Sequence, residues 1–136
     1  MTNYEFQITN YELRITRNDN VIQIKSFAFA VKIVKVVQIL SGEKKEFVLS
    51  KQFLRSGTSI GANVEESIGG QSEKDFYAKL TISYKEARES HYWIRLLTTT
   101  DYLTKEEGDL LLHDAEELLK IIGSIQKTLR SKNPNS

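Results

Sequence analysis

From Ser26 onward the hydrophobic and polar positions repeat with a helical period. In FAFAVKIVKVVQIL, residues 27–40, the polar side chains fall at Lys32, Lys35 and Gln38, three apart. A half-buried strand would place them at every second residue, so the segment is predicted to be helical despite its β-branched content. Ser26 reads as its N-cap and Ser41-Gly42 as its stop. The polar stripe is narrow. A helix packed on one side only shows water a wider face, so this one is expected to bury a second face.

Three more helices follow. The second is predicted from about Lys44 to Ile68, with a stripe at Phe47, Ser50 or Leu54, Gly57, Gly61, Val64 and Ile68, ended by Gly69-Gly70. The third opens at Ser72, with Asp75 three residues on, and runs to about Thr99; Phe76, Leu80, Ser83, Ala87, Ser90, Ile94 and Leu97 follow in steps of four and three. The fourth begins at the capping box Thr104 and Glu107, and its seam is Leu111, Ala115, Leu118, Ile122, Ile125 and Leu129. Long helices with short connections predict an all-α fold, an antiparallel up-down-up-down four-helix bundle. Glycine inside a helix costs about 1 kcal/mol relative to alanine. Gly57 and Gly61 therefore imply a close crossing, and the small Ser83, Ala87 and Ser90 nominate the third helix as the partner.

Upstream, residues 3–9 (NYEFQIT) and 10–16 (NYELRIT) form a tandem heptapeptide identical at five of seven positions. Its apolar residues alternate within each copy, yet Tyr4, Ile8, Tyr11 and Ile15 also make a stripe at helical spacing. The organisation expected is an extension over 1–21, poorly ordered, a bundle domain over 22–131 and a disordered tail over 132–136. The only proline of the 136 residues is Pro134, which leaves the helices uninterrupted. No stretch resembles a targeting signal, and the most apolar one contains Lys32 and Lys35, too short and too charged to span a membrane. A soluble, cytoplasmic protein is expected.

Composition narrows the chemistry. With no cysteine, thiol catalysis, thiolate metal sites and disulfides are excluded. A carboxylate-bridged metal pair in a bundle needs Glu-x-x-His on two helices. The two histidines, His91 and His113, are preceded three residues earlier by Arg88 and Leu110, so no metal or cofactor is expected. RSGTSIGANVEESIGG lacks the Gly-Lys-Ser/Thr of a phosphate loop, and Ser56, Thr58 and Ser59 have no neighbouring base. Asn63, Glu65 and Glu66 with Lys79, Lys85, Glu86, Arg88 and Glu89 form a dense polar set. It reads either as a site or as a solvated face with local pairs such as Asp75 with Lys79.

The net charge of +1 hides a segregation. Lys25, Lys32, Lys35, Lys44, Lys45, Lys51 and Arg55 outnumber Glu43 and Glu46, giving +5 over residues 25–55, whereas residues 101–117 carry −6. Such asymmetry steers an anionic partner to the first hairpin or lets the poles of neighbouring subunits meet. On the third helix Tyr84, Arg88, Tyr92 and Arg95 place aromatics and guanidiniums on roughly one side. That pattern suits nucleic acid, although aromatics at this spacing more often pack in a layer.

RSGTSIGANVEE, then GGQSEKDFYAKLTISYKEARESHYWIRLL, with SFAFAVKIVKVV and EFVLSKQFLRS upstream, closely resembles the bacterial four-helix bundle family, also called 23S rRNA-intervening sequence proteins. The resemblance spans about Ile24 to Leu129 and leaves out the heptapeptide repeat. It implies a left-handed bundle that assembles as a ring-like homopentamer, with no established enzymatic activity. A distant relative, the accessory variability protein of diversity-generating retroelements, implies contact with nucleic acid and a nucleic-acid enzyme. The leading expectation is a non-enzymatic scaffold that engages RNA or DNA through Lys32, Lys35, Lys44, Lys45, Lys51, Arg55, Arg88 and Arg95. The alternative is a protein–protein adaptor without nucleic acid, and an enzyme using Asn63, Glu66, Lys79 and Glu86 ranks below both.

Overall fold

The computed structural model describes residues 17–70 and 72–132, so the heptapeptide repeat and the tail beyond 132 lie outside the described residues. Four helices follow one another: α1 (Arg17–Gly42), α2 (Leu49–Ile68), α3 (Glu73–Thr99) and α4 (Lys105–Lys132). Among the described residues the fold is all-α, with no strand.

Two of the expected starts need correction. α1 begins at Arg17, not after Ser26, so residues 17–21 assigned to the extension are helical. Burial recurs at Ile22, Ser26, Phe29, Ile33, Val37 and Leu40, which makes Ser26 a core position. Its hydroxyl donates to the Gln23 carbonyl one turn back instead of capping an end. A serine before an apolar run looks like a cap in sequence, and only its burial shows otherwise. α2 starts at Leu49, five residues later than expected, because Lys44 to Val48 form the turn. There the Glu46 amide donates to the Leu40 carbonyl at 2.9 Å, and Lys45 takes the left-handed conformation, φ 57°. The Glu46 carboxylate then accepts from the backbone N–H groups of Val48, Leu49 and Ser50, at 3.4, 3.2 and 2.7 Å. A carboxylate from the preceding turn thus satisfies the first orphan donors of α2.

The other two starts follow the sequence. Ser72 Oγ accepts from the Asp75 amide at 3.1 Å, and α3 runs to Thr99. Thr104 and Glu107 cap each other's backbone, at 3.1 and 2.8 Å. Asp101, at φ 69°, turns the chain between α3 and α4, and the amides of Tyr102 and Leu103 return to the Leu97 carbonyl.

α1 packs on α2 and α4, and α3 packs on α2 and α4, which closes a ring of helices around one core. Residue numbers that rise along one helix fall along its neighbour. Ile33 meets Gly57 and Ser26 meets Gly61 between α1 and α2; Ser83 meets Ile60 and Ser90 meets Ser56 between α2 and α3. Gln126 reaches Thr81 and Glu116 reaches His91 between α3 and α4, while Lys25 pairs with Glu117 and Lys32 with Asp114 between α1 and α4. The core holds Phe29, Phe53, Ile33, Ile60, Leu80, Ile94, Leu118 and Ile122, all essentially without solvent contact. The expected seams of α3 and α4 are buried from Leu80 to Leu97 and from Leu111 to Ile125.

The α2 stripe includes the expected Ser50, Gly57 and Val64 but is wider than expected. Its buried residues are Ser50, Phe53, Ser56, Gly57, Ile60, Val64 and Ser67, whereas Phe47 lies in the turn with 61% of its surface exposed. The glycines face α1, not α3. A Cβ on Gly57 would stand 2.7 Å from Ile33 Cγ2, and one on Gly61 would stand 3.3 Å from the Ser26 carbonyl oxygen. Helix α3 instead approaches α2 through Ser83, which donates to the Ile60 carbonyl, and through Ser90, which donates to Ser56 Oγ at 2.9 Å.

Candidate interaction surfaces

The second apolar face expected of α1 is there, and its side chains are partly exposed. Phe27, Val31 and Val34 are 49%, 37% and 38% exposed, and with Ile24 and Gln38 they follow steps of three and four on the side away from the core. Lys35 stands exposed beside them. Three bulky hydrophobic side chains in one helical stripe are more than the scattered singles of an ordinary surface, and such stripes mark contact sites.

Charge segregation finds most of its explanation inside the chain. Lys25 pairs with Glu117 at 3.1 Å and Lys32 with Asp114 at 2.7 Å, so the basic side of α1 is matched to the acidic side of α4. The Lys44 ammonium donates to the Tyr102 carbonyl, which ties the first turn to the third. Arg55 reaches from α2 to α3, bonding Glu86 at 3.0 Å and also Glu89. Partial burial pushes the Glu89 carboxyl up, but hydrogen bonds from Trp93 and Arg55 outweigh it and hold the group below its ordinary value. Of the proposed first-hairpin cations, Lys32, Lys44 and Arg55 are therefore occupied within the fold. Lys35, Lys45 and Lys51 are exposed and form no ion pair within 4.0 Å among the described residues.

The polar set of α2 and α3 is divided among several neighbours. Asn63 donates its amide to the Ser59 carbonyl in its own helix at 2.9 Å, and Glu65 accepts from Gln23 of α1 at 3.2 Å. Lys79 pairs across the helices with Glu66 at 3.9 Å, in place of the local Asp75 pair, and Glu86 belongs to Arg55. Of Asn63, Glu66, Lys79 and Glu86, the fold pairs only Glu66 with Lys79. Among the described residues no group of three or more metal-ligating side chains is close enough to hold an ion, and no helix is long and apolar enough to cross a membrane.

The outer side of α3 differs from the first hairpin. Lys85, Arg88, Tyr92 and Arg95 are all exposed and lie at steps of three and four, one above the other. Tyr84, grouped with them in sequence, packs against the core instead. The Arg95 guanidinium sits 5.8 Å over the Tyr92 ring, and Tyr92 meets Trp93 edge-on with centroids 5.1 Å apart. Arg95 Nε also donates to His91 Nδ1 at 3.2 Å, so His91 carries its proton on Nε2 and donates to Glu116 of α4 at 3.2 Å. Sequence reasoning nominated Arg88 and Arg95 but missed the role of His91, because the acceptor on α4 is 25 residues away in the chain.

The profile of the 23S rRNA-intervening sequence proteins matches residues 18–124. The chain belongs to that family. A crystal structure from Bacteroides thetaiotaomicron, of a protein with unknown function from the S23 ribosomal protein family, has a TM-score of 0.80 and 50% identity to this family member, covering 82% of this chain and 99% of that one. No curated protein matches. The matched region begins one residue inside α1, so the heptapeptide repeat lies outside the family pattern.

Proposed function

We propose that this protein is a non-enzymatic, self-assembling helical scaffold, and the observation that carries the reading is the exposure of Val31 and Val34 on the side of α1 away from the core. The bundle is antiparallel, up-down-up-down, as the falling residue numbers between neighbouring helices support, and the heptad seams of α3 and α4 favour a left-handed twist. Assembly as a ring-like homopentamer accords with the family resemblance. A closed ring joins two different patches of the same chain, so the α1 stripe meets another surface of its neighbour. The scaffold acts in the cytoplasm. Light scattering at micromolar concentration tests the assembly: the full chain is expected at a multiple of its 15.6 kDa mass. Val31→Lys with Val34→Lys is expected to be monomeric with unchanged helicity. A wild-type mass of one chain overturns the reading.

A second element, contact with RNA or DNA, is favoured by the outer side of α3. Arg88 and Lys85 supply exposed charge with no ion pair among the described residues, and Tyr92 supplies a stacking face, the two components a single strand needs. This moves the expected interface away from the first hairpin, where half of the cations are occupied. Binding to mixed RNA and DNA is expected at low salt and to fall steeply as salt rises. Arg88→Ala with Arg95→Ala is expected to lower the salt slope by about one for each phosphate no longer neutralised. Assembly without binding at low salt leaves the protein–protein adaptor as the function.

A further inference from the structure

The outer side of α3 carries two arginines in different states. Arg88 is exposed and forms no ion pair among the described residues. Arg95 is engaged twice: its Nε donates to His91 Nδ1 at 3.2 Å, and its guanidinium lies 5.8 Å over the Tyr92 ring. An arginine stays protonated, so the contact needs an imidazole nitrogen with a free lone pair, that is, a neutral His91. We propose that neutral His91 is a positioning residue that holds Arg95 against α3, and that protonation of His91 releases Arg95 to the phosphates of single-stranded nucleic acid. This inference rests on the nucleic-acid reading and adds regulation to it.

An imidazolium has two N–H donors and no acceptor. A proton on Nδ1 therefore sets donor against donor and cation against cation at the Arg95 contact. On the other side of the ring, Glu116 of α4 accepts from Nε2 at 3.2 Å, and a carboxylate holds an imidazolium more strongly than a neutral ring. The ring stays with Glu116 and the arginine leaves. His91 keeps 23% of its side-chain surface in contact with solvent, so protons reach it. Arg95 is exposed, so it swings into solvent without displacing packed atoms. Its departure also uncovers the Tyr92 face, on which a base stacks. Among the surrounding charges, Arg88 stands one turn before His91 on α3, and His113 and Lys120 stand one turn either side of Glu116 on α4. Toward α2, Arg55 is held by Glu86 and Glu89. Glu116 is the carboxylate within 4.0 Å of His91 among the described residues.

Histidines change charge between about pH 5 and 8, and the chain has two, His91 and His113, so His113 is the control. The full chain is titrated with a mixed-sequence single-stranded DNA oligonucleotide at about pH 6 and about pH 8. Wild type is expected to bind about fivefold tighter at the lower pH, with a salt slope steeper by about 0.7, one added phosphate contact. His113→Gln is expected to keep that difference and His91→Gln to lose most of it, with helicity unchanged in both. Arg95→Ala leaves His91 able to titrate, so the change in slope is expected to vanish; a change that persists overturns the release of Arg95. A second readout needs no nucleic acid. In nitrogen NMR, His91 is expected as the Nε2–H tautomer at about pH 8, and the Arg95 Nε–H signal is expected to shift as His91 protonates. An Nδ1–H tautomer, or an Arg95 signal that does not follow His91, overturns the proposal. Equal pH dependence in wild type and His91→Gln overturns it too and leaves the nucleic-acid reading intact. Absence of binding at both pH values overturns the nucleic-acid reading, and the regulation falls with it.

Discussion

Helix α2 meets its two neighbours by opposite means. Toward α1 it presents Gly57 and Gly61, so that Ile33 and the Ser26 carbonyl occupy the space where side chains would stand. Toward α3 it presents Ser56 and the Ile60 carbonyl, and the hydroxyls of Ser90 and Ser83 bridge the gap. One interface is made close by removing atoms. The other uses small side chains that carry a hydrogen bond. The first is limited by volume alone, and the second by volume and by its hydrogen bonds; this predicts different responses to substitution on the two sides of one helix.

The largest effect is expected at Gly57. A Cβ there lies 2.7 and 2.8 Å from Ile33 Cγ2 and Cγ1, and Ile33 is fully buried and stiff at χ1. Gly57→Val is expected to destabilise by about 3 kcal/mol, the upper end of overpacking, read as a lower urea midpoint. Gly57→Ala combined with Ile33→Val should recover most of the loss of Gly57→Ala alone, and a failure to couple would break the assignment of the glycine face to α1.

Across the other interface, Ser90→Ala is expected to cost about 1 kcal/mol, one neutral hydrogen bond. Ser56 keeps its own bond to the Phe53 carbonyl at 3.3 Å, so no donor is stranded. A double-mutant cycle of Ser56→Ala and Ser90→Ala should show coupling of about 1 kcal/mol, and purely additive losses would remove the bridge from the comparison.

Entry of α2 into its packing against α1 depends on Glu46. Partial burial pushes its carboxyl up, but the backbone N–H groups of Ser50, Leu49 and Val48, with the Ser50 hydroxyl, outweigh that and hold it below the ordinary value. A carboxyl lowered in the folded state contributes stability above its unfolded pKa and loses it as pH falls through the folded one. Glu46→Gln is therefore expected to cost about 0.5–1 kcal/mol at neutral pH, a typical helix-start effect. The difference from wild type should vanish in acid. A pH-independent difference would make Glu46 a packing residue only.

The smallest effect belongs to Gly61. Its missing Cβ would stand 3.3 Å from the Ser26 carbonyl, tight but not overlapping. Gly61→Ala is expected to change stability by less than about 0.5 kcal/mol, because a gain of about 1 kcal/mol in helix propensity offsets the crowding. A large loss would extend the no-volume zone one turn beyond Gly57.

How much of this was legible in the chain differs by element. The seams of α3 and α4 and both their caps were readable, since Leu80 to Leu97, Leu111 to Ile125, Ser72 and Thr104 act within a turn or two of themselves. The α2 stripe was legible at Ser50, Gly57 and Val64 only, because Ser56 and Ser67 count as polar in a hydrophobic pattern yet lie buried with carbonyl or hydroxyl partners. Of the candidate surfaces, the second apolar face of α1 was visible from the spacing of Lys32, Lys35 and Gln38. Which cations remain free was not, as that depends on Asp114, Glu117, Glu86 and Glu89 arriving from other helices.

By itself, then, the sequence determined that this protein is four long helices, because period, caps and the absence of internal proline act over a few residues along the backbone. Tertiary structure alone decided which helix the glycines admit, and that Lys25, Lys32 and Arg55 of the basic first hairpin are paired by α4 and α3. Those outcomes turn on contacts between residues tens of positions apart, whose distances no local pattern encodes.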